Sequence, residues 1–324
     1  MMLTFSVEKG MRNRIIALTS RIITITLSVM ICYQSSCLAA FTSSDVGTTT
    51  AQFLTLGAGA RATAMGNAYT ALSDDATAVY WNPAGLSQIT DPSLSVMHAA
   101  WFGDIYYDWA SYVLPIRGVG TLGIGVQYLN AGTIQGADIN NNPTNSFTPN
   151  DTAVTLSYSR NIAALMVGVN LKYITSTITN SASAVAGDIG VLYKASESGL
   201  SVGACVQNAG TAMQFSDQAE QLPLTAKAGC AYSLESGLIL SVDIDAPIDN
   251  APYFCGGTEY TWKIDKSLSG SVRVGYTTLT QNVTGFEGIS GGVGCTYKNY
   301  SLDYAFMPYG DLGSTNRISL GIKF

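Results

Sequence analysis

From residue 93 onward, apolar and polar residues alternate almost one by one. Leu122, Ile124, Val126 and Tyr128 interleave with Gly123, Gly125 and Gln127. Val154, Leu156 and Tyr158 interleave with Thr155, Ser157 and Ser159, and Leu302, Tyr304 and Phe306 flank Asp303. The last stretch repeats the pattern: Arg317, Ser319, Gly321 and Lys323 alternate with Ile318, Leu320, Ile322 and Phe324. A strand sends successive side chains to opposite faces, so each segment has one apolar and one polar face. The pattern predicts about fourteen strands, at 93–101, 107–116, 120–132, 151–162, 165–178, 183–196, 199–210, 221–234, 237–247, 252–263, 268–278, 288–299, 300–310 and 314–324. They run 9–14 residues, close to the ~9–11 that a tilted strand needs to cross a bilayer.

The connections sort into two classes. Those after even-numbered strands are short, near Gly118, Ala163, Glu235-Ser236, Asp265 and Lys298. Those after odd-numbered strands include the long 133–150, 211–220 and 279–287. Membrane barrels of bacterial outer membranes have tight turns on the periplasmic side and longer loops outside. The expected fold is therefore all-β: a transmembrane antiparallel β-barrel with an oily outer face and a polar lumen. A soluble β-sandwich would also alternate, because antiparallel sheets commonly have one wet face. Strand length and loop asymmetry favour the barrel.

Composition changes the picture little. Charged residues make up 12% of the chain and the net charge is -6, so no basic cluster suggests a nucleic-acid partner. The 18 Tyr and 4 Trp fit interfacial girdles, since Tyr128, Tyr173, Tyr232, Tyr260, Trp262 and Tyr297 fall toward strand ends. Residues 1–40 read as a cleaved secretory signal peptide: Arg12, Arg14 and Arg21 precede the apolar Ile22–Cys32, and Leu38-Ala39-Ala40 offers small residues for cleavage. Met11 is an alternative start. Of the remaining cysteines, strand parity puts Cys205 and Cys255 on the polar face and Cys230 and Cys295 on the apolar face. Small hydrophobic roles are expected, and no zinc-type spacing occurs.

Residues 41–92 do not alternate. Phe53 to Tyr69 is rich in Gly and Ala, followed by Asp74-Asp75, Tyr80-Trp81 and Asn82-Pro83-Ala84-Gly85-Leu86. Small residues allow close backbone approach, and Asn-Pro marks a turn. The segment is expected to form a hatch in the mouth of a barrel spanning 93–324. The run Phe53–Leu86, with Tyr297–Ala305 and Gly310–Leu320 near the other end, resembles the PorV/PorQ family, relatives of FadL-type outer-membrane proteins. The resemblance implies a fourteen-stranded barrel with an N-terminal hatch in the bacterial outer membrane. It implies one of two binding roles: an accessory to type 9-like protein secretion that binds exported proteins or secretion-pore components, or passive FadL-like transport of long-chain fatty acids and other hydrophobic molecules.

Candidate site residues follow from these readings. Asn82, Pro83, Ala84 and Gly85 match the FadL-type hatch motif and either shape a passage or fix a turn. Asp74 and Asp75 either cap a turn or tie the hatch to the wall through Arg61, Arg273 or Arg317. On the polar face, Lys172, Asp188, Arg273, Asp303, Arg317 and Lys323 are expected to form lumenal pairs, because buried charge needs a partner. Phe324 resembles the terminal aromatic read by barrel-insertion machinery, which together with outer-membrane lipid completes the expected partners. No enzyme is expected: His98, the only histidine, sits by parity on an apolar face, and no nucleophile elbow or metal-binding histidine pair is present. No cofactor or metal is expected.

Overall fold

The computed structural model describes residues 45–195, 198–216, 218–280 and 288–324. The expected signal peptide lies outside the described residues. Fourteen strands close into one antiparallel barrel. In chain order they are β1 (Ser93–Ala100), β2 (Tyr106–Ile116), β3 (Gly120–Asn130), β4 (Asn150–Ile162), β5 (Leu165–Thr177), β6 (Ser181–Ala195) and β7 (Leu200–Gly210). They continue with β8 (Thr225–Ser233), β9 (Leu238–Pro247), β10 (Tyr253–Lys263), β11 (Leu268–Thr277), β12 (Ile289–Tyr297), β13 (Tyr300–Pro308) and β14 (Ser314–Lys323). Each strand pairs with its sequence neighbours, and β14 returns to β1 with Ser93 opposite Lys323 and Ala100 opposite Asn316. Closure leaves no open edge, which a bilayer would not tolerate.

Burial follows the period of two. Leu122, Ile124, Leu156, Leu171, Val242 and Val274 are exposed on the outer face, while Gln127, Ser157, Lys172, Asp243 and Arg273 are buried on the inner one. The barrel is thus inverted relative to a soluble core, as lipid on its outside requires. Short turns at 117–119, 163–164 and 298–299 share one rim, and the strand ends from which the long connections leave, at Asn130, Gly210 and Thr277, share the other. The expected eighth strand begins at Thr225, not 221. Pro223 cannot donate to the ladder, and Ala219–Glu220 pairs instead with Met213–Gln214 in a small ribbon. The β6–β7 ladder carries a bulge, where the register shifts between Gly187 and Ile189 and Asn208 adopts φ 62°.

Residues 45–92 fill the lumen rather than only its mouth. They form short turns of helix at Gln52–Thr55, Ala60–Ala64, Ala78–Trp81 and Pro83–Gln88. No turn is long enough to stand alone. Their apolar side chains pack inward on one another and on the wall: Trp81, Tyr69, Met65, Val79 and Leu86 are fully buried, with Tyr107, Trp109 and Val113 of β2 joining the same cluster. Tyr80 meets Trp81 and Trp109 edge-on, with ring centroids 4.8 and 5.8 Å apart.

Candidate functional site

The functional question centres on how the plug is held. Its short turns leave many backbone groups without partners inside the segment, and buried backbone polar groups must be paired. Wall side chains supply the partners. Ser319 Oγ accepts from Ala60 N–H at 2.8 Å and Ser290 Oγ from Gly66 N–H at 3.1 Å. Asp243 Oδ2 accepts from Thr70 N–H at 2.8 Å. In the other direction, Asn170 Nδ2 donates to Val79 O at 2.8 Å, and Gln207 Nε2 donates to the carbonyls of Tyr80 and Trp81.

Arg317 belongs to this set. It was expected to form a lumenal ion pair, but among the described residues it has no carboxylate partner. Its guanidinium donates to Leu56 O at 2.8 Å, Gly57 O at 3.1 Å and Thr63 Oγ1 at 3.1 Å. The fork geometry of Arg suits several neighbouring acceptors at once, and those plug carbonyls would otherwise be orphaned.

Asn82 forms the second anchor. Its side chain accepts from Ala84 N–H, capping the Pro83–Gln88 turn, and donates to Thr70 O at 3.0 Å and to Val191 O of β6 at 3.2 Å. Pro83 sits at the first position of that turn, where its missing N–H costs nothing. Ala84 and Gly85 are buried, and a side chain at Gly85 would meet Ser73 O at 2.1 Å. The wall is cut back to receive this knot. A Cβ at Gly168 would lie 2.2 Å from the Pro83 carbonyl carbon, and one at Gly190 would lie 2.0 Å from Asn82 Oδ1. The expected motif is thus both a fixed turn and a bond to the wall.

The third anchor is ionic. Arg61 bridges Asp74 at 2.6 Å and Asp75 at 3.5 Å within the plug, and Glu259 of β10 at 2.8 Å on the wall. Tyr69 OH donates into the same two aspartates. Asp74 and Asp75 therefore reach the wall only through Arg61; Arg273 pairs instead with Glu259 at 2.5 Å and with Asp303 at 2.7 Å. Burial favours a neutral Asp74 carboxyl, but the Arg61 guanidinium and its hydrogen bond outweigh that and hold it below the ordinary carboxylate range. A third of the Asp74 side chain still faces the lumen, so solvent weakens the pair.

The remaining expected residues are placed as follows. Lys172 and Asp188 form a buried pair at 2.8 Å. Phe324 is exposed just past β14, edge-on to Tyr112 at 6.4 Å, with its N–H on Pro92 O. Lys323 is exposed at the short-turn rim. His98 faces outward and pairs with Asp108 at 2.7 Å, away from the lumen. Cys205 and Cys255 are buried, whereas Cys230 and Cys295 are exposed outward, so all four are free thiols on two different faces. Glu259, Asp243 and the buried pair Lys227–Asp245 at 2.9 Å were not anticipated. Their inward parity and charge were the available signal. No cluster that could hold a metal occurs among the described residues.

Two chambers of about 310 Å³ flank the plug. One opens at the short-turn rim and is lined by the charged network of Arg61, Asp74, Asp75, Glu259, Arg273 and Asp303. The other opens at the long-loop rim between Leu54, Tyr80, Gln207, Pro247, Tyr253 and Leu279, with Lys227 in its lining. Lys227 Nζ also sits 5.1 Å from the centre of the Trp81 ring.

Solved structures share this architecture at low sequence identity. The Ralstonia pickettii toluene transporter TbuX superposes with a TM-score of 0.57 at 13% identity, covering 83% of this chain and 98% of that one. The Pseudomonas putida toluene transporter TodX gives 0.55 at 12% identity, covering 82% and 96%. The CymD monoaromatic hydrocarbon channel gives 0.52 at 12%, covering 83% and 98%. These likenesses carry the fold: a closed barrel of the outer-membrane type. No curated protein matches the sequence. The model of uncharacterised protein family UPF0164 matches residues 28–265, most of the chain, and the protein belongs to that family.

Proposed function

We propose that the protein is a non-enzymatic channel of the bacterial outer membrane that admits small hydrophobic molecules at its long-loop rim and passes them when the plug shifts. The observation that carries this reading is the chamber of about 310 Å³ walled by Leu54, Tyr80, Pro247, Tyr253 and Leu279. Its size falls at the lower end for small-molecule sites, and its apolar walls carry a few polar groups, Gln207, Lys227 and Asp249 among them. Its floor is the plug itself, so a ligand there touches the element that must move. Support also comes from the company the fold keeps: a toluene transporter and a monoaromatic hydrocarbon channel share it.

Equilibrium dialysis of labelled toluene against the detergent-solubilised protein tests this. The expectation is one saturable site above the micelle background, abolished by Leu279→Trp, which fills the chamber. Uptake indistinguishable from empty micelles would end the reading. The sequence resemblance also carries a role in type 9-like protein secretion. Recovery of exported proteins in a pull-down, with no toluene site, would put that role in place of the channel.

A further inference from the structure

The two rims differ in charge. At the short-turn rim, Arg117, Arg160, Lys194, Lys263, Lys266 and Lys298 are all exposed, joined by Lys323 at the end of β14. None of them is ion-paired to a described carboxylate. Of the exposed acids at this rim, which include Asp91 and Glu235, Asp265 is occupied by its own turn, where it accepts from the N–H groups of Ser267 and Leu268. At the opposite rim, the connections 101–105, 131–149, 178–180, 211–224, 248–252, 278–288 and 309–313 contain not one Lys or Arg, but carry acids that include Asp104, Asp138, Glu220 and Asp249.

One place at the basic rim is shaped as well as charged. The β2–β3 turn and the end of β4 enclose an open cleft of about 520 Å³. Arg117 and Arg160 both line it, with Asn161 and the backbone of Gly118 and Val119. Neither guanidinium has any hydrogen bond or ion pair among the described residues. Tyr158 OH donates to Val119 O at 2.7 Å, which fixes the turn at the cleft's edge. Just beyond lie the outward apolar side chains Leu122, Ile162 and Leu165. Two unpaired guanidiniums at headgroup depth beside an acyl-facing surface match a lipid that has phosphate at one end and hydrocarbon at the other.

We infer that the Arg117–Arg160 cleft binds the phosphate of an anionic phospholipid in the leaflet at the short-turn rim. The inference rests on the membrane-barrel reading, though not on the hydrophobic cargo. Arg supplies the donors, the glycine-containing turn leaves room for the headgroup, and the adjacent outer face holds the chains. The connections of the opposite rim carry no Lys or Arg, and Lys227 in the chamber there is paired with Asp245, so the lipid preference is one-sided.

The test is native mass spectrometry of the full barrel released from nanodiscs of equal phosphatidylglycerol and phosphatidylcholine. The expected result is retained phosphatidylglycerol on the wild type. Arg117→Gln/Arg160→Gln should reduce it roughly thirtyfold, from about one kcal/mol per basic residue near a charged surface. Arg117→Lys/Arg160→Lys should keep most of it, and Lys263→Gln/Lys266→Gln should change it little. Heat-modifiable gel mobility checks that each variant is folded. Equal retention in wild type and the Gln variant would overturn the cleft while leaving the barrel intact. Displacement of the lipid by millimolar inorganic phosphate would overturn the lipid assignment in favour of a soluble anion. Failure to enter nanodiscs at all would overturn the membrane reading itself.

Discussion

The wall and the plug obey different rules. In the wall, the ladder pairs the backbone, and side chains only choose a face: Leu156 outward, Ser157 inward. In the plug the backbone is irregular, and wall side chains pair it instead, through Ser319, Ser290, Asp243, Asn170, Gln207 and Arg317. The lumenal polar residues therefore do not line an open aqueous pore. They stand in for the water that an irregular segment would otherwise need. That makes the plug a bound ligand of its own barrel, held by directional bonds as well as by the apolar clusters it shares with the wall.

The sharpest way to break this contrast is at the wall glycines. Gly168→Leu would push a side chain into the Pro83–Ala84 backbone and should cost more than about 3 kcal/mol. The expected outcome is an expelled plug, cut by protease while the barrel keeps its heat-modifiable mobility. Gly256→Leu is the control, since a Cβ there meets nothing within 4 Å. A protected plug in Gly168→Leu would show that the seat is loose.

On the wall, Leu156→Arg places charge on the exposed outer face and should destabilise by about 2–4 kcal/mol in denaturant titrations in lipid. A neutral effect would mean that this face does not meet hydrocarbon. Arg61→Ala should cost about 2 kcal/mol, less than a dry ion pair because Asp74 is partly wetted. The loss should appear as faster plug proteolysis, with barrel unfolding little changed.

Because Asp74 titrates below its unfolded value, its contribution is complete above about pH 4 and fades as the pH falls through the folded value. Plug protection in the wild type should weaken on that acid side, and in Arg61→Ala it should lose this component of its pH response. Asn82→Ala should cost about 2 kcal/mol, for a lost cap and the lost bonds to Thr70 O and Val191 O, read by the same proteolysis.

The wall was legible because its information is local. Period two, turn spacing and strand length are written residue by residue, which is why Val154-Thr155-Leu156-Ser157 already gave the face of β4. The plug was legible only as a region of small residues and turns. Its bonding partners lie far along the chain: Arg317 meets Gly57, and Glu259 meets Arg61. No spacing rule links such positions. Arg317 looked like half of an ion pair because a buried cation usually has an acid beside it, yet its two terminal nitrogens donate to three plug oxygens instead. Nothing in the sequence singles out the inward glycines Gly168 and Gly190; only the packed plug reveals them as its seat.

The seam where β14 meets β1 carries a consequence for biogenesis. Arg317 and Ser319, which grip the start of the plug, reside on the strand that is synthesised last. Until that strand arrives, the ring is unsealed and the plug's first turns lack their partners. Closing the seam and seating the start of the plug therefore draw on the same strand, which couples the two in assembly.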